Sequence, residues 1–479
     1  MEEKDNSNIP LCVDLDGTLI ATDCLSESIM DILRQNFFLI FLLPIWLIKG
    51  KANFKEKIAN RIIPNPDELP FIEEVLEYLK QLKNNGRKLV LITASHQRIA
   101  DRIGNYLNIF DEIIGSDIDR TTKGKSKQKY LIDRFGDNGY DYAGDSKADL
   151  HVWKSARKAI IVHASQKVLA KAETIVDIEK VFPQEKVGLI AYLKQIRVYQ
   201  WIKNILIFLP LLMAHKLSSP MLFIDAIIAF FAFSFTASFV YVLNDLVDLP
   251  SDRKHIRKKN RPLASGKIPI LHGAIIAPFL LVTGLLLATY FLSTEFLYIL
   301  IAYLIITSLY SFILKKIYIL DIIVLSILYT IRLIAGALAV DVPLSQWLME
   351  FSVFFFLSLA INKRYTELYM MQKTNVHEAK GRGYNVSDID LMRVIGPVSG
   401  YISVLVFVLY LHSDEVVVLY KNSHILWLVA VCLLYWITRI WFITTRGKMH
   451  DDPIIFTGKD PVSYIIGIIV ALLVIGAAL

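Results

Sequence analysis

The stretch NDLVDLPSD, residues 244–252, directly follows an apolar run from Phe223 to Leu243, and a basic segment comes after it. Its aspartates, Asp245, Asp248 and Asp252, recur at the spacing of one helix face. Carboxylates beside lipid are rare and usually functional, and hard oxygen ligands suit Mg²⁺ together with substrate phosphates. The stretch therefore predicts a magnesium site that binds a phosphorylated substrate at a membrane face. The alternative is an acidic patch on a solvated loop.

The chain of 479 residues has an uneven distribution of apolar residues. Residues 1–185 have the composition of a soluble domain, whereas residues 186–479 contain long apolar runs and raise the mean hydropathy to +0.46. Because a transmembrane helix needs roughly 20 apolar residues, such windows predict about nine spans. They lie near 202–215, 221–243, 273–292, 296–313, 320–340, 346–361, 394–411, 424–443 and 462–479. The second part is thus predicted to be an all-α polytopic membrane domain.

Basic residues are concentrated in alternate loops of this second part. These loops are 253–267, Lys315-Lys316, 362–393 and 444–459. The positive-inside rule places them, and the soluble domain with them, on the cytoplasmic side of an inner (cytoplasmic) membrane. The net charge of +7 then indicates basic loops and anionic ligands, not nucleic acid. The last loop contains Asp452, to which we assign no catalytic role.

Two arginines fall inside predicted spans. Arg332 lies within 322–340 and Arg439 within 426–443. A cation at membrane depth usually faces a cavity or a partner, and the alternative is that its side chain reaches the interface, which is more plausible for Arg439.

The soluble part alternates short apolar strands with amphipathic helices. Strands are predicted near 11–15, 88–92, 112–115, 140–143 and 159–162, which favours a Rossmann-like α/β fold with a parallel sheet. Ligands of such sheets bind beyond the carboxyl ends of the strands, where Asp14, Thr93 and Asp145 fall. The apolar run 37–48 is too short to span a bilayer, so we expect a cap helix or an interfacial contact.

The residues at this edge match the needs of phosphoryl transfer. Asp14 and Asp16 straddle a turn, so that one carboxylate can attack phosphorus while its neighbour moves a proton. Thr93 can hold a phosphoryl oxygen. Further along, Asp145 and Asp149 can complete a Mg²⁺ site. The charge of the transferring group can be neutralised by Lys123 or Lys127.

This set of motifs, over about residues 8–180, resembles the haloacid-dehalogenase-type phosphatases, mainly their phosphoserine-phosphatase-like branch. The resemblance implies an aspartyl-phosphate mechanism with Asp14 as nucleophile and Asp16 as general acid and base. It also implies Mg²⁺ held by Asp14, the main-chain carbonyl of Asp16, and Asp145. For the lysine of the family we favour Lys123, because a glycine follows it at the start of a helix.

From about residue 190 the chain resembles the UbiA-type intramembrane prenyltransferases. Three motifs carry the resemblance: Arg197-x-x-Gln200-Trp201-x-Lys203-Asn204, the acidic stretch 244–253, and Lys259-x-Arg261-Pro262-x-x-Ser265-Gly266. The family implies helices around a central cavity, with Mg²⁺ and a diphosphate at its cytoplasmic mouth. Metal ligands would be Asp245, Asp248 and Asp252, oriented by Asn244, and phosphates would be bound by Lys203, Arg253, Lys259 and Arg261.

One departure from that family concerns the second half of the membrane domain. Members that prenylate aromatic rings have a second acidic cluster there, whereas this chain has a single carboxylate, Asp321, beside Tyr310. Fixed cations follow instead, and we assign them to a lipid phosphate or a 5-phosphate: Lys315, Arg332, Lys363 and Arg364. The pattern is most similar to the decaprenyl-phosphate phosphoribosyltransferase-like branch.

The two resemblances together predict a bifunctional, Mg²⁺-dependent membrane enzyme. It would transfer 5-phosphoribose from phosphoribosyl diphosphate to a polyprenyl phosphate, and its soluble domain would remove the 5-phosphate. The competing hypothesis is an aromatic prenyltransferase that uses a prenyl diphosphate and has an independent phosphatase domain. A third is a transporter or lipid-binding scaffold, because internal charges occur in transporters as well.

Overall fold

The computed structural model describes residues 9–117, 122–183, 187–373, 383–449 and 452–479. The chain divides into two compact units. The first, here called the head unit, comprises Met1–Gln195 and Val242–Ile276, and the second, here called the membrane unit, comprises Ile196–Tyr241 and Ala277–Leu479. The acidic stretch and the basic segment after it therefore belong to the same compact unit as the soluble part.

The head unit contains the predicted parallel sheet. Its strands, all paired in parallel in the order β3-β2-β1-β4-β5-β6, are β1 Leu11–Val13, β2 Leu89–His96, β3 Glu112–Ser116, β4 Asp141–Gly144, β5 Lys158–Val162 and β6 Asp177–Phe182. Five of them coincide with predicted strands, which confirms the α/β fold. The sixth was not predicted, because it lies at the edge of the sheet and most of its side chains are at least partly exposed.

Helices cover both faces of this sheet, as alternating side chains of β1 show. Leu11 and Val13 pack with the helices Glu73–Asn84 and Gln97–Leu107, whereas Cys12 packs on the opposite face. The helices of that second face are Lys125–Phe135, Leu150–Trp153 and Gln166–Ala172. A sheet buried on both sides accounts for the continuous apolar strands that the sequence shows.

A helical cap is inserted between β1 and β2. Its segments are the helix Cys24–Gln35, a 3₁₀ turn Phe37–Phe41, and the helices Leu43–Ile48 and Lys51–Ala59. They share a small apolar core around Trp46 and Ile58. The remaining short helical segments of the head unit are Pro66–Glu68, Leu189–Gln195, Leu249–Lys254 and Lys258–Asn260.

Among the described residues, seven helices are long and apolar enough to cross a membrane, or eight if a bent pair counts as one span. The seven candidates, by range, are Pro220–Val247, Ile270–Phe291, Thr294–Phe312, Leu320–Ala339, Val386–Tyr410, Ser423–Thr445 and Pro461–Ala478. The bent pair, Leu189–Gln195 with Val198–Met213, coincides with the first predicted span. A further helix, Gln346–Lys373, contains the predicted span 346–361 but is less apolar. The prediction of about nine helices in a multi-pass membrane protein is thus confirmed.

The structure shows how the membrane unit accommodates the predicted internal cation Arg439. Its guanidinium donates to both carboxylate oxygens of Asp460, at 2.6 and 2.9 Å. Asp460 directly precedes the last helix, so the pairing gives the cation a partner and is also compatible with a side chain that reaches the interface. The other short segments of this unit are Leu314–Lys316, Asp414–Leu419 and Pro453–Thr457.

Candidate active sites

The turn after β1 places Asp14 at the carboxyl edge of the sheet. One oxygen of Asp14 accepts from the main-chain N–H of Leu15 at 2.8 Å, and the other lies 2.9 Å from Nζ of Lys127. Gly17 has a φ of +76°, and a Cβ at this position would clash with the carboxylate of Asp145. The motif therefore requires glycine both for its backbone conformation and for the close approach of a second acidic loop.

Three carboxylates converge at this edge. Oxygens of Asp14, Asp145 and Asp149 lie within 4.8 Å of one another, the one group of three possible metal-ligating side chains among the described residues. Asp149 is oriented by Tyr142, whose hydroxyl donates to it at 2.7 Å, and by Ser146 at 2.6 Å. Asp14 and Asp149 belong to different loops, so the sheet edge is what brings them together.

The electrostatics of this cluster favour a cation. Burial, together with the charges of Asp149 and Asp14, raises the pKa of Asp145 to about 8, and burial raises the pKa of Asp14 to about 6 despite Lys127. Buried carboxylates that repel one another are stabilised by a divalent ion, and hard oxygen donors are those that Mg²⁺ prefers. The residues present thus fit Mg²⁺, which when bound shields an anionic nucleophile from an anionic substrate.

Asp16 is held apart from the metal cluster by the cap and the β2 edge. Its carboxylate accepts from the main-chain N–H of Cys24 at 2.8 Å and from the hydroxyl of Ser95 at 2.7 Å. Burial raises the pKa of Asp16, which favours its holding a proton. Thr93 lies near the end of β2, fully buried, and its hydroxyl oxygen accepts from the main-chain N–H of Ser95 at 3.0 Å.

The preference for Lys123 is corrected by the structure. The side chain of Lys123 is exposed, whereas Lys127 is buried and also donates to the hydroxyl of Tyr142 at 2.8 Å. Gly124 has a φ of +53° and starts the helix Lys125–Phe135, so that the first turn of the helix directs Lys127 toward Asp14. Spacing within the motif does not reveal this direction, because the lysines lie on opposite sides of that glycine.

The acidic stretch of the head unit is arranged differently from the metal cluster. Arg261 donates to Asp245 at 2.9 Å and also contacts Asp252, and both carboxylates are buried. Asp245 further accepts from Gln195 at 3.0 Å, and Asp248 precedes the short helix Leu249–Lys254. The structure thus places a guanidinium between two of the three predicted metal ligands, although Asp252 Oδ1 is buried without a hydrogen bond.

The cations predicted to bind phosphate beside this stretch differ in their surroundings. Arg253 donates to both carboxylate oxygens of Glu27, at 2.7 and 3.0 Å, and to the main-chain carbonyl of Glu68 at 2.8 Å. Its positive charge is therefore already paired within the head unit, which does not favour the predicted phosphate contact. Lys259 is exposed on the turn Lys258–Asn260, and Asn244 lies in the last turn of Pro220–Val247.

The membrane unit contains a cavity of about 290 Å³ with a strongly charged lining. Among the described residues that line it, the cations are Arg197, Lys203, Lys363 and Lys459, and the one carboxylate is Asp452. Asp452 lies 2.8 Å from Nζ of Lys203 and 3.1 Å from Nζ of Lys363. The structure therefore brings together two of the predicted phosphate-binding lysines, which are 160 residues apart in the chain (363 − 203).

Asp452 is a functional candidate that the sequence did not indicate. Its side chain is only 6 % exposed, and burial by itself would raise its pKa, but Lys203 and Lys363 outweigh that effect and lower the pKa well below its ordinary value. The residue also starts the short helix Pro453–Thr457. Its neighbours in the loop, His450 and Asp451, lie outside the described residues. Only the pairing with two distant lysines distinguishes Asp452 from an ordinary loop aspartate.

Arg332 is buried in the interior of the membrane unit. Its guanidinium donates to the side-chain oxygen of Asn204 at 2.8 Å and lies over the rings of Phe233, Tyr303 and Tyr329 at 5.2 to 5.4 Å from their centres. The expectation of a partner at membrane depth is met by an amide and by aromatic faces, which stabilise a cation without cancelling its charge.

A second interior arginine is fully neutralised. Arg364 donates to Asp321 at 2.9 Å and to Tyr310 at 2.7 Å, and it also contacts Glu367 at 2.7 Å. Arg364 and Asp321 are buried, whereas Glu367 is partly exposed, and these contacts favour a structural role over the predicted contact with a substrate phosphate. Lys315 is half-buried in the turn Leu314–Lys316.

Comparisons with known proteins match two separate stretches of the chain to two families. Residues 205–457 match the UbiA prenyltransferase family and residues 11–154 match the haloacid dehalogenase-like hydrolases. The uncharacterized protein y4nM of Sinorhizobium fredii is 34 % identical over 97 % of this chain and 90 % of its own length. Decaprenyl-phosphate phosphoribosyltransferase of Mycobacterium tuberculosis is 35 % identical over 41 % of this chain and 66 % of its own length.

Among solved structures, a UbiA homolog from Archaeoglobus fulgidus bound to GPP and Mg²⁺ aligns with 60 % of this chain and 99 % of its own, at 15 % identity and a TM-score of 0.45. The family match spans more than half of the sequence. The chain belongs to the UbiA prenyltransferase family and carries an N-terminal haloacid dehalogenase-like hydrolase domain.

Proposed function

We propose that the membrane domain transfers 5-phosphoribose from phosphoribosyl diphosphate to a polyprenyl phosphate, and that the head then removes the 5-phosphate to leave polyprenyl-phosphoryl-ribose. The observation that carries the proposal is the cationic cavity around Lys203 and Lys363. A donor with a diphosphate and a separate phosphate, together with a phosphate-bearing acceptor, presents more anionic groups than a prenyl diphosphate does. The named relatives that are phosphoribosyltransferases support the same substrates.

The state of Asp321 supports this choice over an aromatic prenyltransferase. Its carboxylate is paired with Arg364, and among the described residues it does not belong to a group of three possible metal ligands, as a second metal site would require. In this proposal Asp245, Asp248 and Asp252 bind Mg²⁺ and the diphosphate, which requires Arg261 to leave the carboxylates. The residues of the cavity bind phosphate groups directly.

The geometry of the head supports hydrolysis of a phosphomonoester. Asp14, with Lys127 beside it, is placed to attack phosphorus, and Asp16 is placed at a separate position to give and accept a proton. Asp145 and Asp149 hold Mg²⁺ together with Asp14. Joining both activities in one chain raises the local concentration of the intermediate at the second site. We place the head on the cytoplasmic side of an inner membrane, because the basic loops predict that topology.

The test uses the full-length protein with Mg²⁺, phosphoribosyl diphosphate and polyprenyl phosphate, followed by mass spectrometry of the lipids. We expect polyprenyl-phosphoryl-ribose from the parent protein. The variant Asp14→Asn should accumulate the 5-phosphorylated lipid, because a carboxamide is not a nucleophile, with phosphatase turnover reduced by about four orders of magnitude.

An exposed control, Asp133→Asn, should behave as the parent does. Identical lipid products from the parent and Asp14→Asn would exclude the coupled reaction. A prenyl group on an aromatic acceptor, with no ribose on lipid, would identify the competing activity. Metal-dependent turnover that is lost in Asp248→Ala would exclude a passive scaffold or a transporter.

A further inference from the structure

The cap of the head unit carries an apolar segment, residues 38–48, with two different faces. Its inner face, which includes Leu39, Leu43 and Trp46, packs on the small core of the cap. Its outer face is exposed to an unusual degree, with exposed fractions of 77 % for Phe38, 69 % for Phe41, 50 % for Ile45, 51 % for Leu47 and 86 % for Ile48. We call these five side chains the outer face of the cap.

This exposure belongs to a folded element. The segment consists of a 3₁₀ turn followed by the helix Leu43–Ile48, and the inner side chains fix its orientation. A helical segment that is apolar all round is normally buried on every side. Eleven residues, Phe38–Ile48, are too few to span a bilayer, and Pro44 interrupts the run. These properties are typical of an element that lies in a membrane interface.

The charges around the segment are all of one sign. Residues 36–55 contain no aspartate or glutamate, and Lys49 and Lys51 follow the outer face directly as exposed side chains. On the inner side, the guanidinium of Arg61 lies 4.4 Å from the ring centre of Trp46, and Nζ of Lys57 lies 5.9 Å from it. Apolar side chains bordered by lysine complement a bilayer with anionic headgroups.

The apolar segment is anchored on both sides to the phosphatase site. Before it, the main-chain N–H of Cys24 donates to Asp16 at 2.8 Å. After it, Nζ of Lys55 donates to the main-chain carbonyl of Ala94 at 2.7 Å, and Glu56 contacts His96 at 2.7 Å. The first contact is with Asp16 itself, and the other two are with residues that follow Thr93 in β2. The cap that carries the outer face is therefore fixed to the phosphatase site at both of its ends.

We propose that the outer face of the cap inserts into the headgroup region of a bilayer containing anionic lipids, and that the phosphatase site therefore acts on a phosphate carried by a membrane lipid. The inference rests on the proposed phosphatase activity for its second half, whereas insertion itself stands on the surface of the cap. Membrane contact would select lipid-linked phosphomonoesters over soluble ones of the same chemistry, because only the former are concentrated at that surface.

Insertion can be measured without any enzymatic activity. A single cysteine at Ile48→Cys, in a Cys432→Ser background, is labelled with an environment-sensitive fluorophore in full-length protein reconstituted in nanodiscs of phosphatidylcholine and phosphatidylglycerol. Cys12 and Cys24 are buried and remain in place. We expect blue-shifted emission that is quenched by lipids with a nitroxide on the acyl chain. The same label at the exposed position Asn85→Cys should show neither change.

A blue shift without lipid quenching would mean that protein covers the outer face, either another part of this chain or a second copy, and would overturn the proposal. Emission like that of the Asn85 control would overturn it as well. Lowering the share of phosphatidylglycerol, or the double variant Lys49→Glu and Lys51→Glu, should weaken the quenching, because the electrostatic part of the attraction is lost.

The selectivity is tested with the double variant Ile45→Glu and Ile48→Glu. We expect its turnover of lipid-linked phosphoribose to fall about tenfold or more, with turnover of a soluble phosphomonoester within about twofold of the parent. Val181→Glu, at an apolar position on β6 that is 40 % exposed, should change neither rate. Equal losses on both substrates would overturn selective action on lipid. A parent without phosphatase activity on either substrate would remove the proposed function but leave the quenching result to decide insertion.

Discussion

The phosphatase site of the head and the cavity of the membrane unit have opposite distributions of charge. In the head, three carboxylates lie around one buried lysine, Lys127. In the cavity, several cations lie around one buried carboxylate, Asp452. The first arrangement attracts a metal ion, which then attracts phosphate, whereas the second attracts phosphate without an intermediary. Lys127 contacts Asp14 in the first site, and Asp452 contacts Lys203 and Lys363 in the second.

The acidic stretch of the head unit lies between these two extremes. Asp245 and Asp252 share one arginine, Arg261, so their charges are largely compensated in the absence of a ligand. The comparison teaches that two acidic motifs can differ in whether they can bind a metal ion without a rearrangement of side chains. The cluster at the sheet edge is assembled by the fold, while the stretch after a long helix needs its arginine to move before metal can bind.

The largest effect in this comparison is expected from removing the single cation of the phosphatase site. Lys127→Met should lower kcat for a phosphomonoester about 10²–10³-fold, because charge on the transferring group loses its neutralising partner. Lys123→Met, four residues away and exposed, is the matched variant and should stay within about twofold of the parent. Steady-state phosphate release measures both. The opposite order of effects would restore Lys123 as the functional lysine.

Removing Asp452 from the cavity should have a smaller effect, which lowers turnover but strengthens the binding of an anion. Asp452→Asn should lower transferase kcat about tenfold, because Lys203 and Lys363 lose the group that positions them. The same variant should bind inorganic pyrophosphate about threefold more tightly, since one negative charge is gone from an anion site. Turnover and product inhibition are measured in one assay. A parallel loss of both turnover and pyrophosphate affinity would instead indicate a cavity that has lost its structure.

The smallest effect is expected from a substitution in the acidic stretch, where Arg261 and Lys258 lie beside the carboxylates of Asp245 and Asp252. Arg261→Gln should increase the affinity of the transferase portion for Mn²⁺ by about threefold, because the carboxylates lose a competing cation. The measurement is electron paramagnetic resonance of free Mn²⁺ in an Asp14→Asn and Asp145→Asn background, which removes the metal site of the head. Weaker Mn²⁺ binding would show that Arg261 orients the ligands and does not compete with the ion.

Much of the head could be predicted from the sequence, because short, continuously apolar strands with polar ends, alternating with helices, specify a parallel sheet. Asp14, Thr93 and Asp145 were expected at one edge, and the structure places them there, since parallel strands end on the same side. Strand β6 was missed because an edge strand with exposed side chains resembles a loop. The sequence favoured Lys123 over Lys127. The spacing of the residues does not show in which direction the helix after Gly124 points, and this direction places Lys127 beside Asp14.

The sequence predicts the membrane-spanning helices of the membrane unit but not the side-chain contacts between them. The apolar runs defined the helices, and Lys203 and Lys363 were both expected to bind phosphate. Their meeting at Asp452 depends on packing of three distant parts of the chain, which no local pattern encodes. Likewise, the sequence does not show that Arg364 pairs with Asp321. A buried arginine needs such a partner, because an unpaired charge is costly in the interior.

The pairing of Arg253 with Glu27 bears on how such a protein can arise or be divided. A gene that ended near residue 185 would encode a sheet and cap but not the arginine that neutralises this buried glutamate. Where such a glutamate stays buried, loss of its arginine costs about 3–5 kcal/mol. A separate hydrolase would therefore need either another cation for Glu27 or a surface on which this carboxylate meets water.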